Sequence, residues 1–172
     1  TALGEWKHNE LPEESSAANA YWGLTRQSIP LPIRPGTPKI EEVEAELAEW
    51  EQKDTPDAGA MAERKRRLLH RLKQLPSEEN FPLEAIVFRL GGAVWIIIQG
   101  EPYSVLQKAL RERFPGTPLV ISAIASHWGA SYLPPKKIFD KGIYQESIAI
   151  VAPGSLEIVI ETIISQIEEL LK

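Results

Sequence analysis

Two apolar segments separated by Gly91-Gly92 constrain the fold of this chain more than any other feature of its sequence. Residues 83–90 have a strand-like pattern, and residues 93–99 form a strongly apolar run. Two glycines between such segments are typical of the tight turn of a β-hairpin, because glycine tolerates the positive backbone angles of these turns. The sequence therefore predicts a pair of hairpin-connected strands in its C-terminal half.

The segments that follow alternate between helical and strand-like patterns, which indicates an α/β fold. The predicted elements are a helix at residues 103–114, a buried strand at 119–125, a short helix at 136–141 and a final helix after Pro153-Gly154-Ser155. The final helix has apolar residues on one broad face, so burial must stabilise it. We expect an α/β portion at residues 77–172, with a small mixed sheet flanked by helices.

The N-terminal half is organised differently. Residues 1–37 form a lead-in that becomes rich in proline, and residues 24–33 within it are predicted as an extended edge segment or, about equally, as a surface loop. Residues 38–76 are predicted as an inserted antiparallel helical hairpin, because apolar residues recur at helical spacing on either side of a break at residues 54–59.

The two helices of this hairpin carry opposite charges. The first is rich in glutamate, and the second holds a basic run at residues 64–73. Such a run can bind nucleic acid. However, the acidic helix is one short turn away, and no aromatic residues are interleaved for base stacking. We therefore expect ion pairs between the helices and no nucleic-acid partner.

Composition excludes several functional classes. The 19 basic and 24 acidic residues give a formal net charge of −5, which does not favour a polyanionic partner. The absence of cysteine excludes disulfides, thiolate metal sites and cysteine nucleophiles. The longest apolar run, residues 93–98, is far too short to form a transmembrane helix. Neither the compartment nor the oligomeric state follows from these features.

Candidate chemistry lies where the predicted strands end. Glu101 follows the apolar strand, and His127 and Tyr132 lie in the loop after the next strand. If the two strands are parallel neighbours, both segments emerge at the same edge of the sheet. Their oxygen and nitrogen atoms could then ligate Zn²⁺. The structural alternatives are that Glu101 caps the next helix, His127 is a hydrogen-bonded structural residue and Tyr132 is a half-buried anchor.

Tyr144 and Glu146 are further candidates for a cleft. We predict that they lie on an extended segment, in which alternate residues face the same side. The alternative, which the pattern favours, is that this segment only forms an edge of the sheet. The sequence contains no Gly-x-Ser-x-Gly turn for a serine nucleophile and no glycine-rich phosphate-binding loop.

Several short motifs occur in a fixed order over residues 83–172. They are FRLGGAVWIII at residues 88–98, Gln99-Gly100-Glu101-Pro102, Phe114-Pro115-Gly116, ASYLPP at residues 130–135, Gly142-Ile143-Tyr144-Gln145-Glu146 and Ala152-Pro153-Gly154-Ser155. In this order the chain resembles the end of the catalytic domain of the neutral (non-lysosomal) ceramidase family, particularly its bacterial ceramidase-like members. The proline-rich stretch and the charged hairpin resemble an insertion found in ceramidase-like proteins.

The resemblance implies a zinc-dependent hydrolase that cleaves the N-acyl bond of ceramide. In this family zinc is held by two histidines, a glutamate that matches Glu101 and a tyrosine that matches Tyr132. The two histidines come from an earlier part of the catalytic domain that is not in this chain, and His127 matches neither. Pro134-Pro135 stand where the family usually has threonines. We expect this chain to be a C-terminal portion that contributes part of the zinc site, binds zinc weakly and has no amidase activity alone.

The resemblance also implies partners and a location. The partners would be the remainder of the catalytic domain and a lipid amide substrate, in a secreted or periplasmic protein, although this chain itself contains no signal-like segment. A second hypothesis is a non-catalytic binding or assembly domain whose hairpin meets a partner. The first hypothesis predicts that Glu101 and Tyr132 converge, beside an exposed apolar face. The second predicts that Glu101 contacts only helix amides and that Tyr132 turns into the core.

Overall fold

The chain folds around a four-stranded mixed sheet in the computed structural model, which describes residues 22–76, 79–125 and 129–172. The strands are β1 (Trp22–Pro32), β2 (Asn80–Leu90), β3 (Ala93–Ile98), β4 (Glu101–Pro102), β5 (Leu119–Ser122) and β6 (Tyr132–Leu133). The helices are α1 (Ile40–Gln52), α2 (Ala58–Leu72), α3 (Val105–Arg113), α4 (Tyr144–Ile148) and α5 (Ser155–Leu171), with a 3₁₀ turn at Lys136–Ile138. The expected α/β class, a small mixed sheet flanked by helices, is confirmed.

The main sheet has the strand order β1-β2-β3-β5. The strands β2 and β3 form the predicted hairpin, and Gly91 at its turn has a φ of 57°, in the left-handed region where glycine is favoured. The strand β5 is parallel to β3, with α3 joining them. The carboxyl ends of β3 and β5 therefore lie at the same edge of the sheet.

The core lies between one face of the sheet and the helices α3 and α5. The packing is close where β1 meets α5, because a Cβ atom on Gly23 would lie 2.8 Å from Leu170 Cδ2. The side chain of Gln166 on α5 also donates to Thr25 Oγ1 at 3.1 Å. We call the face of the sheet that packs against α3 and α5 the inner face, and the opposite face the outer face. Successive residues along each strand alternate between the two faces.

β1 is the edge strand and pairs with β2 along its whole length. Residues 22–32 therefore belong to the sheet. The sequence analysis includes them in the lead-in at residues 1–37. Pro30 lies opposite Pro82 in this register. Because Ile33 donates its N–H to the carbonyl of Glu79, just before β2, the alternation of the ladder turns the ring nitrogens of Pro30 and Pro32 towards the open edge.

The helical hairpin α1–α2 is inserted between β1 and β2, which are neighbours in the sheet. Its opposite charges pair as the sequence predicts. Glu51 contacts Arg66 at 2.7 Å and Glu44 contacts Lys73 at 2.9 Å, and Lys65 is paired with Glu46.

Two local predictions are wrong. The helix predicted at residues 136–141 is only the 3₁₀ turn, and the segment at residues 142–146 is not extended but leads into α4. Among the described residues, no helix has both the length and the apolar character needed to cross a bilayer.

Candidate functional site

The short strands β4 and β6 bring the two predicted metal ligands together. They pair in parallel, with Glu101 opposite Tyr132, beyond the ends of β3 and β5. The amide of Glu101 donates to the Ser131 carbonyl at 2.7 Å, and the amide of Tyr103 donates to the Leu133 carbonyl at 3.2 Å. Paired residues on neighbouring strands present their side chains to the same face. Segments about thirty residues apart in sequence thus place a carboxylate beside a phenol.

The Glu101 carboxylate raises the pKa of the Tyr132 hydroxyl above its ordinary value, chiefly through its negative charge. Burial, the nearby Tyr144 and the polar contact with the Glu101 side chain act in the same direction. All of these effects favour the neutral phenol. Tyr132 is half-buried and faces Glu101, so it is not turned into the core as the assembly hypothesis predicts.

Close backbone packing fixes the loop that carries Tyr132. The side chain of Gln99 accepts a hydrogen bond from the Glu84 amide at 3.1 Å. Gly129 lies directly on Gln99: a Cβ atom at Gly129 would be 2.8 Å from the Gln99 Cβ, and its φ is 57°. A larger residue at position 129 would therefore be strained twice, by its backbone conformation and by its contact. Ala130 and Leu133 anchor the loop in the core.

Backbone strain lies on both segments next to the pair. Ile124, which follows β5, has a φ of 57°, and Ser131, next to Tyr132, has a φ of 61°. A β-branched residue in this region is unusual, and such strain is concentrated at functional sites in proteins. The Ser131 side chain is fully buried, and its hydroxyl has no hydrogen-bond partner among the described residues.

Two further tyrosines lie close to Tyr132, and an arginine lies near one of them. The rings of Tyr132 and Tyr144 meet edge to face, with centroids 6.2 Å apart. Tyr103 is close enough to raise the pKa of Tyr132 slightly further. Arg71 of α2 lies near Tyr144; burial lowers its pKa, and Tyr144 opposes that shift. The helical hairpin therefore reaches the vicinity of the site.

Tyr103 and Arg71 are the site neighbours that the sequence reasoning did not single out. Tyr103 is two positions after Glu101, so the alternation of an extended segment could have indicated it. No local signal identifies Arg71, because its position depends on how the inserted hairpin packs on the rest of the chain.

Glu146 has a structural role, and its side chain points to a different side of the chain from that of Tyr144. It is on α4, where residues two apart point to different sides, and its carboxylate accepts the amides of Lys141 and Gly142 at 3.1 and 3.0 Å. It also contacts Arg34 at 3.1 Å. A hydrogen bond from the Asp140 backbone is the largest cause that holds the pKa of Glu146 below its ordinary value. The backbone of Gly142 and Lys141 and the charge of Arg34 act in the same direction.

His127 lies outside the described residues, so its predicted proximity to Glu101 stays a prediction. Within the described ranges 22–76, 79–125 and 129–172, no three histidine, aspartate or glutamate side chains gather in a group that could hold a metal. The Glu101–Tyr132 pair offers two oxygen donors of types that zinc accepts, beside the buried Ser131 hydroxyl. The pair fits part of a zinc site, and further ligands would have to come from elsewhere.

A cavity of about 270 Å³ lies between α2, α4 and the turn after β1. Its charged lining residue, Arg34, is already bonded to the carbonyl and the carboxylate of Glu146. We therefore assign no chemistry to this cavity.

Comparison with models of protein families, with curated proteins and with solved structures finds no match to this chain.

Proposed function

We propose that this chain is the C-terminal portion of a zinc-dependent amide hydrolase similar to the neutral ceramidases. Glu101 and Tyr132 would be two of the protein ligands of its metal. The observation that carries the proposal is the pairing of these two residues across β4 and β6, which sets the carboxylate beside the phenol. The resemblance matches the same two residues to the family's glutamate and tyrosine ligands.

Zinc held at this position would supply a Lewis acid that polarises the amide carbonyl and activates a water molecule. The residues of this chain would hold the metal and determine the net charge of the site. Tyr132 holds its proton more tightly before the metal binds, because Glu101 raises its pKa. Zinc binding at the pair would therefore release the proton of Tyr132, and zinc affinity should increase with pH.

Two oxygen donors make an incomplete protein site, because catalytic zinc is generally held by three or more protein ligands. The isolated chain should therefore bind zinc weakly and should not hydrolyse amides. In the complete protein, the edge-to-face ring of Tyr144 would limit the movement of Tyr132.

The test is zinc content and hydrolysis of a ceramide analogue by the complete polypeptide, with Glu101→Ala and Tyr132→Phe. Each substitution removes one ligand, so we expect zinc content to fall and turnover to be lost. Glu112→Ala is the control, because Glu112 is an exposed carboxylate on α3, outside the pair. If the parent protein holds no zinc, or if Glu101→Ala behaves like Glu112→Ala, the proposal is wrong.

The second candidate is a non-catalytic assembly domain, and the exposed apolar outer face of the sheet is compatible with it as well as with the docking of a missing part of a hydrolase. Large apolar side chains on this face include Trp22 and Leu24, which are 77% and 60% exposed. A protein with this function would keep its partner after Glu101→Ala and would contain no zinc.

A further inference from the structure

Three tyrosines and one carboxylate gather on one side of the β4–β6 pair. Glu101 lies opposite Tyr132, and the hydrogen bond from the Tyr103 amide to the Leu133 carbonyl continues this pairing. Residues two apart on an extended segment face the same side, so Glu101 and Tyr103 share the face of Tyr132. The ring of Tyr144 meets that of Tyr132 at 6.2 Å between centroids, with 71° between their planes. We call these two nearly perpendicular rings the aromatic corner.

The aromatic corner is open to solvent. Tyr144 is 65% exposed, whereas Glu101, Tyr103 and Tyr132 are half-buried. Burial in the core therefore does not explain the position of the Tyr144 ring, since most of its surface reaches water. Exposed aromatic side chains are common where proteins bind partners and ligands, because they offer a large rigid contact area. The corner is thus a candidate binding surface with a carboxylate at its side.

The wall formed by Tyr144 is held in place before any ligand binds. Tyr144 is the first residue of α4, and the buried Glu146 fixes this short helix. The Glu146 carboxylate accepts the amides of Lys141 and Gly142 and pairs with Arg34 at 3.1 Å. A preorganised wall reduces the conformational entropy that binding would otherwise cost.

The chemistry of the corner favours an organic cation without N–H groups. Aromatic faces attract cations, and quaternary ammonium groups are bound in this way because their methyl groups pack on the rings. The Glu101 carboxylate adds a full negative charge and would repel an anion. A primary ammonium has three N–H donors, and a hard metal ion needs six or more oxygen ligands, so both require more acceptors than one carboxylate and its neighbouring hydroxyls. Arg71 lies near Tyr144, so a cation should settle on the Glu101 side of the corner.

We propose that the aromatic corner of Tyr132 and Tyr144, with Glu101 beside it, binds small soluble quaternary ammonium compounds of the choline type. The trimethylammonium group lies against the two rings, and the carboxylate neutralises its charge. The inference goes beyond the proposed function, because this binding needs neither a metal nor any residue outside the described part of the chain.

The test is a titration of the metal-free 172-residue chain with choline chloride, followed by NMR of the tyrosine ring protons. Sodium chloride at equal concentration controls for ionic strength. The neutral analogue of choline, in which a carbon atom replaces the nitrogen, has the same shape without the charge. We expect saturable shifts of the Tyr132 and Tyr144 signals with choline, and none with sodium chloride or the neutral analogue.

Substitutions separate the contributions of the ring and of the charge. Tyr144→Leu removes one wall and Glu101→Gln removes the charge, so each should weaken choline binding by about 2- to 30-fold. Tyr144→Phe restores the aromatic face and should recover most of the binding that Tyr144→Leu loses. Trp22→Leu is the control, because Trp22 is an exposed aromatic residue (77%) outside the corner.

The proposal is overturned if choline gives no saturable shift, if the neutral analogue binds equally well, or if Tyr144→Leu binds choline as well as Trp22→Leu does. The trimethylammonium group also occurs in lipid headgroups. Co-sedimentation with phosphatidylcholine vesicles in the absence of choline binding would assign the surface to a membrane, and would likewise overturn the proposal.

Zinc content of the complete polypeptide separates this inference from the proposed function. Choline binding in a protein that holds no zinc would support the cation site and refute the metal site. Bound zinc in the complete polypeptide, with no choline binding by the metal-free chain, would support the metal site and refute the cation site.

Discussion

Replacing Gly129 with alanine should destabilise the protein and disturb the Glu101–Tyr132 pair together. The left-handed conformation at φ 57° costs a residue with a Cβ atom about 1–2 kcal/mol. The new Cβ would also lie 2.8 Å from the Gln99 Cβ, and relieving such overpacking costs about 1–3 kcal/mol. The free energy of unfolding should therefore fall by about 2–5 kcal/mol.

Gly36→Ala is the control for the backbone contribution. Gly36 has a φ of 79°, but a Cβ there would meet nothing within 4 Å, so this variant should lose only about 1–2 kcal/mol. Urea unfolding gives the loss of unfolding free energy for each variant. The difference between the two losses is the cost of the contact with Gln99. Adding Gln99→Gly to Gly129→Ala removes the obstructing Cβ, and the double-mutant cycle should show a favourable coupling of about 0.5–3 kcal/mol.

A local measurement links this stability change to the site. If the clash moves the loop, Tyr132 moves away from Glu101 and its raised pKa should fall towards the ordinary value, as a tyrosinate titration by NMR would show. The reasoning is refuted if Gly129→Ala costs no more than Gly36→Ala and shows no coupling to position 99. In that case the packing on Gln99 does not fix the loop.

Glu101→Gln should lower the pKa of Tyr132 in the metal-free chain, because the carboxylate charge is the main cause of its elevation; an unchanged NMR titration would contradict this. Glu146→Gln should lower stability at neutral pH and make it less sensitive to acid. The folded pKa of Glu146 is depressed, so its contribution is complete above the ordinary glutamate pKa and is lost as the pH falls through the folded value. Urea unfolding between neutral and acidic pH measures the difference, and parallel profiles for the two proteins would contradict it.

Much of the C-terminal half could be predicted from the sequence, because its elements have strong local signals. The glycine pair at residues 91–92 marked the β2–β3 hairpin, and the apolar runs on β3 and β5 marked buried strands. The geometric expectation followed from these elements: two parallel strands joined by α3 end at one edge, so Glu101 and Tyr132 converge there.

The failures occurred where contacts distant in sequence decide the local conformation. The alternation of Tyr144 and Glu146 favoured an extended segment, but Glu146 accepts the amides of residues 141 and 142 and pairs with Arg34, more than one hundred residues away. These bonds stabilise the short helix α4. The approach of Arg71 to the site depends similarly on the packing of the hairpin.

The prolines at the edge of β1 determine how copies of this protein can associate. Pro30 and Pro32 have no N–H to offer an incoming strand, and the amide of Ala152 already occupies the carbonyl of Pro32 at 2.8 Å. The opposite edge strand, β5, has only four residues. Lateral polymerisation of the kind that builds amyloid fibrils is therefore disfavoured at both edges. When the concentrated chain associates through its exposed apolar face, the products should be small oligomers that dissociate on dilution.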